Sequence, residues 1–148
     1  MRRLMAGLCL AMMLAGGVRA ADWPQFRGLN RDGISPEEGL LKKWPQEGPQ
    51  MLWSVANLGF GYSSASVAGG MVYTTGIEDE TGYIYAFDLK GDPKWKRAYG
   101  KGWTGSYPGS RTTPTIDEGL LYVMSGHGVI SCFDAKTGKP VWSVDTFE

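Results

Sequence analysis

The sequence is poor in the residues that build reactive or cross-linked sites. It has two cysteines and one histidine among its 148 residues. Cys9 lies in an N-terminal apolar run that export would remove, which leaves Cys132 alone and permits no intramolecular disulfide. His127 has no second histidine with which to share a metal ion. The sequence also lacks a glycine-rich phosphate loop, a Ser/His/Asp set and a paired-cysteine metal motif, which argues against nucleotide, hydrolase and zinc chemistry.

The N-terminus is typical of a secretory signal peptide over residues 1–20. Arg2 and Arg3 precede an apolar stretch at 4–17 that is short for a membrane span, and we expect cleavage before Ala21. The alternative is that residues 1–20 are not cleaved and anchor the protein in the membrane. The sequence therefore predicts an exported protein, periplasmic or extracellular, with no membrane span after cleavage of the signal.

The sequence also lacks a large excess of either positive or negative charge. The full chain balances 15 Lys+Arg against 15 Asp+Glu, and removal of three arginines with residues 1–20 leaves 12 against 15, a net charge of −3. A mildly acidic surface without a basic run makes nucleic acid an unsuitable partner.

No helical stripe is visible after residue 20, but an internal repeat is. The stretch 64–95 recurs at 113–142 with small insertions and deletions. Runs rich in Val, Ile, Tyr and Thr, separated by Gly and Asp clusters, predict four strands in each copy, at 63–68, 71–76, 82–88 and 93–98, and again at 112–116, 120–125, 128–134 and 140–145. Four hairpin-linked strands per repeat predict an all-β fold, a β-propeller of four-stranded antiparallel blades.

The predicted organisation is a signal peptide at 1–20, an N-terminal arm at 21–50 and a partial propeller at 51–148, with blade repeats at about 63–98 and 112–145. Met51-Leu52-Trp53 is predicted to be the last strand of another unit, the one that could close the ring. Rings need at least about four blades, so we expect remaining blades or self-association to complete this one.

A turn motif and a tryptophan end each repeat, and we expect both to be structural. In the second copy, the Asp134 carboxylate can accept N–H groups across the turn while the glycine takes a left-handed conformation. A tryptophan on the last strand then packs against the neighbouring blade. The residues predicted to serve the blades in this way are Trp53, Asp88, Gly91, Trp95, Asp134, Thr137, Gly138 and Trp142.

These residues resemble the PQQ-like repeat, the blade of the eight-bladed propellers of quinoprotein alcohol dehydrogenases. Similar blades build the propeller lipoprotein of the bacterial outer-membrane β-barrel assembly machinery. The second copy matches the repeat's Asp, Thr-Gly and Trp, with Cys132 in place of Ala, and the first copy matches without the Thr, at Ala86, Asp88, Gly91 and Trp95. Residues 22–33 also resemble the mature N-terminus of exported PQQ-like repeat proteins of planctomycete-type bacteria.

The resemblance implies a fold more firmly than an activity. In the quinoprotein enzymes, PQQ lies on the propeller axis with a calcium or lanthanide ion, and most of the better-known ones have a disulfide between adjacent cysteines. This sequence has no such cysteine pair and no segment that matches their metal-ligand or catalytic Asp motifs. We therefore expect an exported, non-catalytic module that binds or scaffolds. The alternative is an N-terminal fragment of a PQQ-dependent oxidoreductase acting on alcohols or sugars.

Blade geometry predicts that the segments 57–62, 78–80, 101–111 and 126–128 share one face. Loops on a rigid scaffold are the usual location of binding residues. Arg111 and Tyr62 precede inner strands near the channel and are candidates for binding a cofactor or anion. Trp103 and Tyr107 are candidates for gripping a protein or a small ligand such as a sugar or peptide.

Each candidate on this face has a plainer interpretation. Arg111 could pair with an acid across blades, and Trp103 and Tyr107 could pack over a blade edge. His127 could be a metal ligand or base, but a polar residue in a turn fits it as well. The acidic stretch 78–80 could bind calcium, although it lacks the spacing of such a loop and fits a solvated turn.

Overall fold

The computed structural model describes residues 20–148, which form two four-stranded antiparallel sheets. The first contains, in spatial order, β1 (Ser66–Ala68), β2 (Met71–Glu78), β3 (Thr81–Asp88) and β4 (Pro93–Lys101). The second contains β5 (Thr115–Asp117), β6 (Leu120–Met124), β7 (Val129–Asp134) and β8 (Pro140–Asp145). Nothing in 20–148 forms a helix that could span a membrane. Nearly all of the predicted signal peptide, residues 1–19, lies outside the described residues.

Each sheet is a meander in which sequential strands are neighbours, so the predicted all-β fold of four-stranded blades is confirmed. The innermost strands, β1 and β5, begin later than predicted. The residues just before β1 contact those just before β5 and do not pair within their own sheet. Pro114 has no N–H to offer a ladder, and the Ser64 N–H donates to Oγ1 of Thr113 at 3.0 Å. We call the sheets the first and second blade.

The core lies between the two blades and is built from alternate residues of their strands. Ile84 and Leu121 are fully buried at its centre. The other buried members are Tyr73, Ala86, Tyr99, Val123, Phe133 and Ala135. Because both blades contribute to one core, each blade depends on its neighbour for burial of its apolar face.

The segment 51–53 pairs with no strand in the described part of the chain, and its assignment to the last strand of another unit stays a prediction. The indole of Trp53 holds the segment instead: its Nε1 donates to the carbonyl oxygen of Leu89 at 3.0 Å, and its ring covers Gly91 of the first blade. A side-chain anchor therefore holds this segment on the first blade.

The start of the N-terminal arm crosses the inner edges of both blades. Trp23 exchanges two backbone hydrogen bonds with Val67 of β1, at 2.7 and 2.9 Å. The carbonyl oxygen of Pro24 accepts from the N–H of Ile116 in β5 at 2.8 Å. The arm thus satisfies edge groups of the innermost strands and ties the two blades together.

Candidate binding site on the loop face

Four segments meet on one side of the blades, and we call this side the loop face: 57–62, 78–80, 101–111 and 126–128. Phe60 exchanges backbone hydrogen bonds with Ile77 at 3.0 and 2.9 Å. The Gly102 N–H donates to the carbonyl oxygen of Glu80 at 2.7 Å, and a ring nitrogen of His127 lies 3.2 Å from the carbonyl oxygen of Gly102. The chain therefore brings together the segments that blade geometry predicts to share a face.

The two chain segments that enter the inner strands lie side by side on this face. Gly61 and Ser110 form a parallel bridge, with the Ser110 N–H donating to Phe60 at 3.2 Å and the Tyr62 N–H donating to Ser110 at 2.6 Å. Close approach favours glycine here, because a β-carbon on Gly61 would lie 3.1 Å from the carbonyl oxygen of Ser110. The bridge fixes Tyr62 beside Arg111.

Three candidates from the sequence line one shallow cavity of about 320 Å³: Tyr62, Tyr107 and Arg111. Both tyrosine rings are open to solvent, with 65% of Tyr62 and 74% of Tyr107 exposed. We call this cavity the Tyr–Arg cleft. It combines two flat amphipathic rings with one permanent cation, the elements of a site for an anionic group carried on an apolar body.

The guanidinium of Arg111 is held in position by its own loop. Its Nη2 donates to the carbonyl oxygens of Ser106 at 2.7 Å and Tyr107 at 3.0 Å. The loop curves back through positive φ angles of 52° at Tyr107 and 136° at Gly109. No acidic partner binds Arg111 within residues 20–148, so the predicted alternative of an ion pair across blades is not what the structure forms.

A buried polar cluster anchors the base of the cleft. Ser110 is 2% exposed, and its hydroxyl accepts a hydrogen bond from the Tyr99 hydroxyl at 3.1 Å. It also bonds to the hydroxyl of Thr75, which donates to the carbonyl oxygen of Thr112 at 2.7 Å. Burial raises the pKa of Tyr99, which keeps its phenol protonated and able to donate. The cluster ties the loop to β2 and β4.

Trp103 packs within the loop face and lies outside the cleft. Its indole N–H donates to the carbonyl oxygen of Ser106 at 3.0 Å, and its ring lies 5.6 Å from that of His127. A β-carbon on Gly126 would lie 2.7 Å from Trp103, so the small residue is required beneath it. These contacts favour the packing interpretation for Trp103, whereas Tyr107 remains exposed.

The acidic stretch 78–80 is a tight hairpin turn rather than an oxygen-rich loop. Asp79 and Glu80 both have positive φ, 45° and 64°. The Glu78 carboxylate accepts from Lys96 at 2.5 Å and from the Tyr85 hydroxyl at 2.6 Å. The bond to Lys96, and then that to Tyr85, lowers the pKa of Glu78. Glu78 is thus engaged within the first blade.

The groups most often found in reactive sites are either buried or not grouped in the described part of the chain. Burial raises the pKa of the Cys132 thiol, which disfavours the reactive thiolate. Among the residues that the structure describes, no three His, Cys, Asp or Glu side chains are grouped so that they could hold a metal ion. The cleft offers hydrogen-bond donors and aromatic surface.

Sequence reasoning identified the members of the cleft but missed the bridge that assembles it. The Gly61–Ser110 pairing joins residues far apart in the chain, and the one signal for it is the glycine just ahead of Tyr62. It also missed a larger cavity of about 740 Å³ on the opposite side, under the N-terminal arm, which has Asp22, Tyr73 and Asp134 in its lining. Burial, followed by the charges of Asp134 and Asp22, raises the pKa of Tyr73 to about 12.

Comparison with known proteins gives a family and a similarity of fold. A family model described as outer membrane protein assembly factor BamB matches residues 37–148. The curated proteins contain no match to the sequence. A europium-containing methanol dehydrogenase is similar in structure over 65% of this chain and 18% of its own, with 18% identity and a TM-score of 0.48. The quinohemoprotein alcohol dehydrogenase ADHIIG from Pseudomonas putida HK5 is similar over 62% of this chain and 14% of its own, with 26% identity and a TM-score of 0.46.

The extent of these matches differs. This chain spans less than a fifth of the length of either enzyme. The family model, in contrast, covers most of this chain, including both blades and the segment that carries Trp53. The chain therefore belongs to the family of PQQ-like repeat proteins described as outer membrane protein assembly factor BamB.

Proposed function

We propose that this protein is a non-catalytic binding module that uses the loop face of its PQQ-like blades to hold a partner. The observation that carries the proposal is the Tyr–Arg cleft. Two exposed tyrosine rings flank a guanidinium that two backbone carbonyls already hold in place. A preorganised cation between aromatic surfaces loses little side-chain freedom on binding, which favours affinity.

The chemistry of the cleft favours a carboxylate on a protein partner. Arginine binds a carboxylate through paired N–H donors, and only Nη2 of Arg111 is used within the described residues. The tyrosine rings supply apolar area and hydroxyl groups to whatever flanks the carboxylate. An acidic or C-terminal residue next to an apolar side chain meets both requirements.

A pair of small probes that differ in charge alone tests this proposal. N-acetyl-phenylalanine carries a free carboxylate, and N-acetyl-phenylalaninamide does not. We expect the acid to give a saturable change in tyrosine and tryptophan fluorescence or in NMR shifts, and the amide to bind at least about tenfold more weakly. Arg111→Lys and Tyr107→Ala should each weaken binding of the acid.

The matched control is Arg31→Lys, which changes an exposed arginine of the N-terminal arm that bonds to Gln25. It should leave binding of the acid unchanged. Equal binding of acid and amide, or binding that Arg111→Lys and Tyr107→Ala do not affect, would show that the cleft is not a carboxylate site.

The alternative is an oxidoreductase that uses PQQ with a calcium or lanthanide ion, the cofactors suggested by the family resemblance. Residues 20–148 contain no grouped His, Cys, Asp or Glu set that could ligate such an ion. Addition of PQQ with Ca²⁺ or a lanthanide, followed by dye reduction with alcohols or sugars, distinguishes the two functions. A cofactor-dependent rate would favour the enzyme.

We also propose export to the periplasm or beyond the cell. Two observations support this proposal. Residues 1–20 have the composition of a signal peptide, and the family model that matches the chain is described as an outer membrane protein assembly factor. N-terminal sequencing of the protein recovered from the cell envelope should begin at Ala21. Recovery of the uncleaved chain would favour the membrane anchor instead.

A further inference from the structure

The larger cavity lies between the two blades, on the side opposite the loop face and beneath the N-terminal arm, and we call it the arm groove. Its volume is about 740 Å³, within the range of small-molecule sites in proteins. Three turns supply most of its walls: those between β1 and β2, between β5 and β6, and after β7. The first residues of the arm form the remaining wall.

The arm wall is held in place by a compact turn. The Gly28 N–H donates to the carbonyl oxygen of Gln25 at 3.0 Å, and the Gln25 side-chain amide donates to the carbonyl oxygen of Leu29 at 3.0 Å. The Trp23 ring packs on Gly28, where a β-carbon would lie 2.7 Å from it. Leu29 is thereby fixed at the groove with 68% of its surface exposed. A wall that is already ordered loses little freedom when a ligand binds.

Apolar side chains from the arm and from both blades form the base of the groove. Met71 of the first blade and Ile116 of the second pack against the core between the blades. Both are only half-buried, and both line the groove. The apolar residues of the lining are Leu29, Ala68, Met71, Ile116 and Ala135.

The groove also carries a strong excess of negative charge. Four carboxylates line it against one ammonium group, which leaves a net charge of −3. Within residues 20–148, none of the four carboxylates forms an ion pair. The charged residues of the lining are Asp22, Asp117, Glu118, Asp134 and Lys136.

Two of the carboxylates are positioned by hydrogen bonds to nearby turns. Asp22 accepts from the Gly69 N–H at 3.1 Å. Asp134 accepts from the hydroxyl and the N–H of Thr137 at 2.6 and 2.8 Å, and these bonds lower the pKa of Asp134. Asp134 is therefore ionised at neutral pH.

The field of these charges reaches the base of the groove. Tyr73 is 2% exposed, and its hydroxyl donates to the carbonyl oxygen of Ala135 at 3.2 Å. Burial, followed by the charges of Asp134 and Asp22, raises the pKa of Tyr73 to about 12. The charges that disfavour a negative phenolate here favour a positive group in the groove.

We propose that the arm groove binds a small organic cation, an ammonium group carried on an apolar body. The apolar base suits the body of such a ligand, and the surrounding carboxylates suit its charge. Among residues 20–148, no three acidic side chains are grouped so that they could hold a metal ion, and the negative charge is spread around the groove. The site is separate from the Tyr–Arg cleft, which has the opposite charge and lies on the other side of the blades.

Two probes of nearly equal size that differ in charge test the proposal on the full chain. Phenethylamine carries an ammonium group at neutral pH, and phenethyl alcohol is neutral. In amide NMR spectra, we expect the amine to cause saturable shifts at Gly69, Ile116 and Gly119, all in the groove. The amine should bind at least about fivefold more tightly than the alcohol, and added salt should reduce this preference.

Two variants separate the charge of the groove from its apolar surface. Asp22→Asn/Asp117→Asn/Glu118→Gln removes three charges and keeps the size of each side chain. We expect this triple variant to bind the amine as weakly as the alcohol, with binding of the alcohol unchanged. Leu29→Ala should weaken both probes by the same factor, about two- to fivefold, because it removes apolar surface and no charge.

The matched control is Glu38→Gln/Glu47→Gln/Glu80→Gln, which removes three exposed carboxylates outside the groove and should keep the preference for the amine. The dispersion of each amide spectrum checks that the blades remain folded. Binding of N-acetyl-phenylalanine should be the same in the wild type and the groove variants, so the test of the Tyr–Arg cleft stays independent. Equal binding of the two probes to the wild type would overturn the proposal. So would a preference for the amine that the triple groove variant retains or that the control variant loses.

Discussion

The indole of Trp95 lies on the backbone of Gly138 in the following blade, so close that a β-carbon at position 138 would be 2.7 Å from the ring. The glycine serves two purposes at once. Its φ of 68° turns the chain after the third strand, and its missing side chain opens the notch that receives the indole. The contact joins the two blades at their outer edge.

Gly138→Ala should therefore destabilise the protein through both effects. The positive φ costs an alanine about 1–2 kcal/mol, and the clash with Trp95 adds about 1–3 kcal/mol more. We expect a fall of about 2–5 kcal/mol in the free energy of unfolding, measured by urea denaturation followed through tryptophan fluorescence.

Gly119→Ala separates the two effects. Gly119 has a φ of 80°, and nothing lies within 4 Å of the position where its β-carbon would be. This variant should show the backbone cost alone, about 1–2 kcal/mol. Equal losses for the two variants would mean that the Trp95 ring moves aside without cost.

Removal of the hydroxyl at the base of the Tyr–Arg cleft should also reduce stability. Ser110→Ala leaves the buried Tyr99 hydroxyl without its acceptor, which costs about 1–3 kcal/mol. Ser106→Ala is the control, since hydrogen bonds reach Ser106 through its backbone carbonyl, and it should change stability by less than about 0.5 kcal/mol. Thermal unfolding of both variants checks this, and a Ser110→Ala variant as stable as the wild type would contradict it.

Asp88 should make stability depend on acid pH. Its hydrogen bond with Lys94, followed by those from the Asp92 and Lys90 N–H groups, lowers its pKa from 3.8 to about 2. A lowered folded-state pKa stabilises the fold above about 3.8, and that contribution is lost as pH falls from about 3.8 through about 2. The pair is partly open to solvent, with 41% of the Lys94 and 24% of the Asp88 side chain exposed, so we expect a small effect.

The measurement compares the wild type with Asp88→Asn by urea unfolding between pH 7 and pH 2. The stability advantage of the wild type should be constant above about pH 4 and should shrink below it. Asp79→Asn, in the neighbouring turn, should leave that pH dependence in place. An advantage that persists unchanged to pH 2 would rule out Asp88 as its source.

The sequence was most informative where structure depends on local pattern. The alternation of apolar residues and the Gly and Asp turns located all eight strands, because strand pairing between neighbours in sequence needs little else. The pattern does not reveal how 51–53 is held, since Trp53 contacts Leu89 and Gly91 of the first blade. These residues lie too far along the chain for a local pattern to show the contact.

The cleft could be predicted as a set of residues but not as an arrangement. Tyr62, Tyr107 and Arg111 follow from their places in connections on one face. The bend that turns the Tyr107 carbonyl toward Arg111 needs a positive φ at a tyrosine, which is an uncommon conformation for such a residue. The sequence also did not reveal the contacts of Glu78. Its carboxylate was expected in a solvated turn, but it accepts hydrogen bonds from Lys96 and Tyr85.

The hairpin between β2 and β3 offers a way to stabilise the first blade. Asp79 and Glu80 form its two-residue turn with φ values of 45° and 64°, the mirror-image geometry for which Asn-Gly is the preferred sequence. Replacement of Asp79-Glu80 by Asn-Gly should raise the free energy of unfolding by about 0.5–1 kcal/mol, since the glycine removes the strain at position 80. Glu118→Asn, in a turn that already has Gly119 at its second position, should gain less. Urea denaturation of the two variants tests the comparison, and an Asn-Gly variant less stable than the wild type would mean that the Asp79 or Glu80 side chain stabilises this turn.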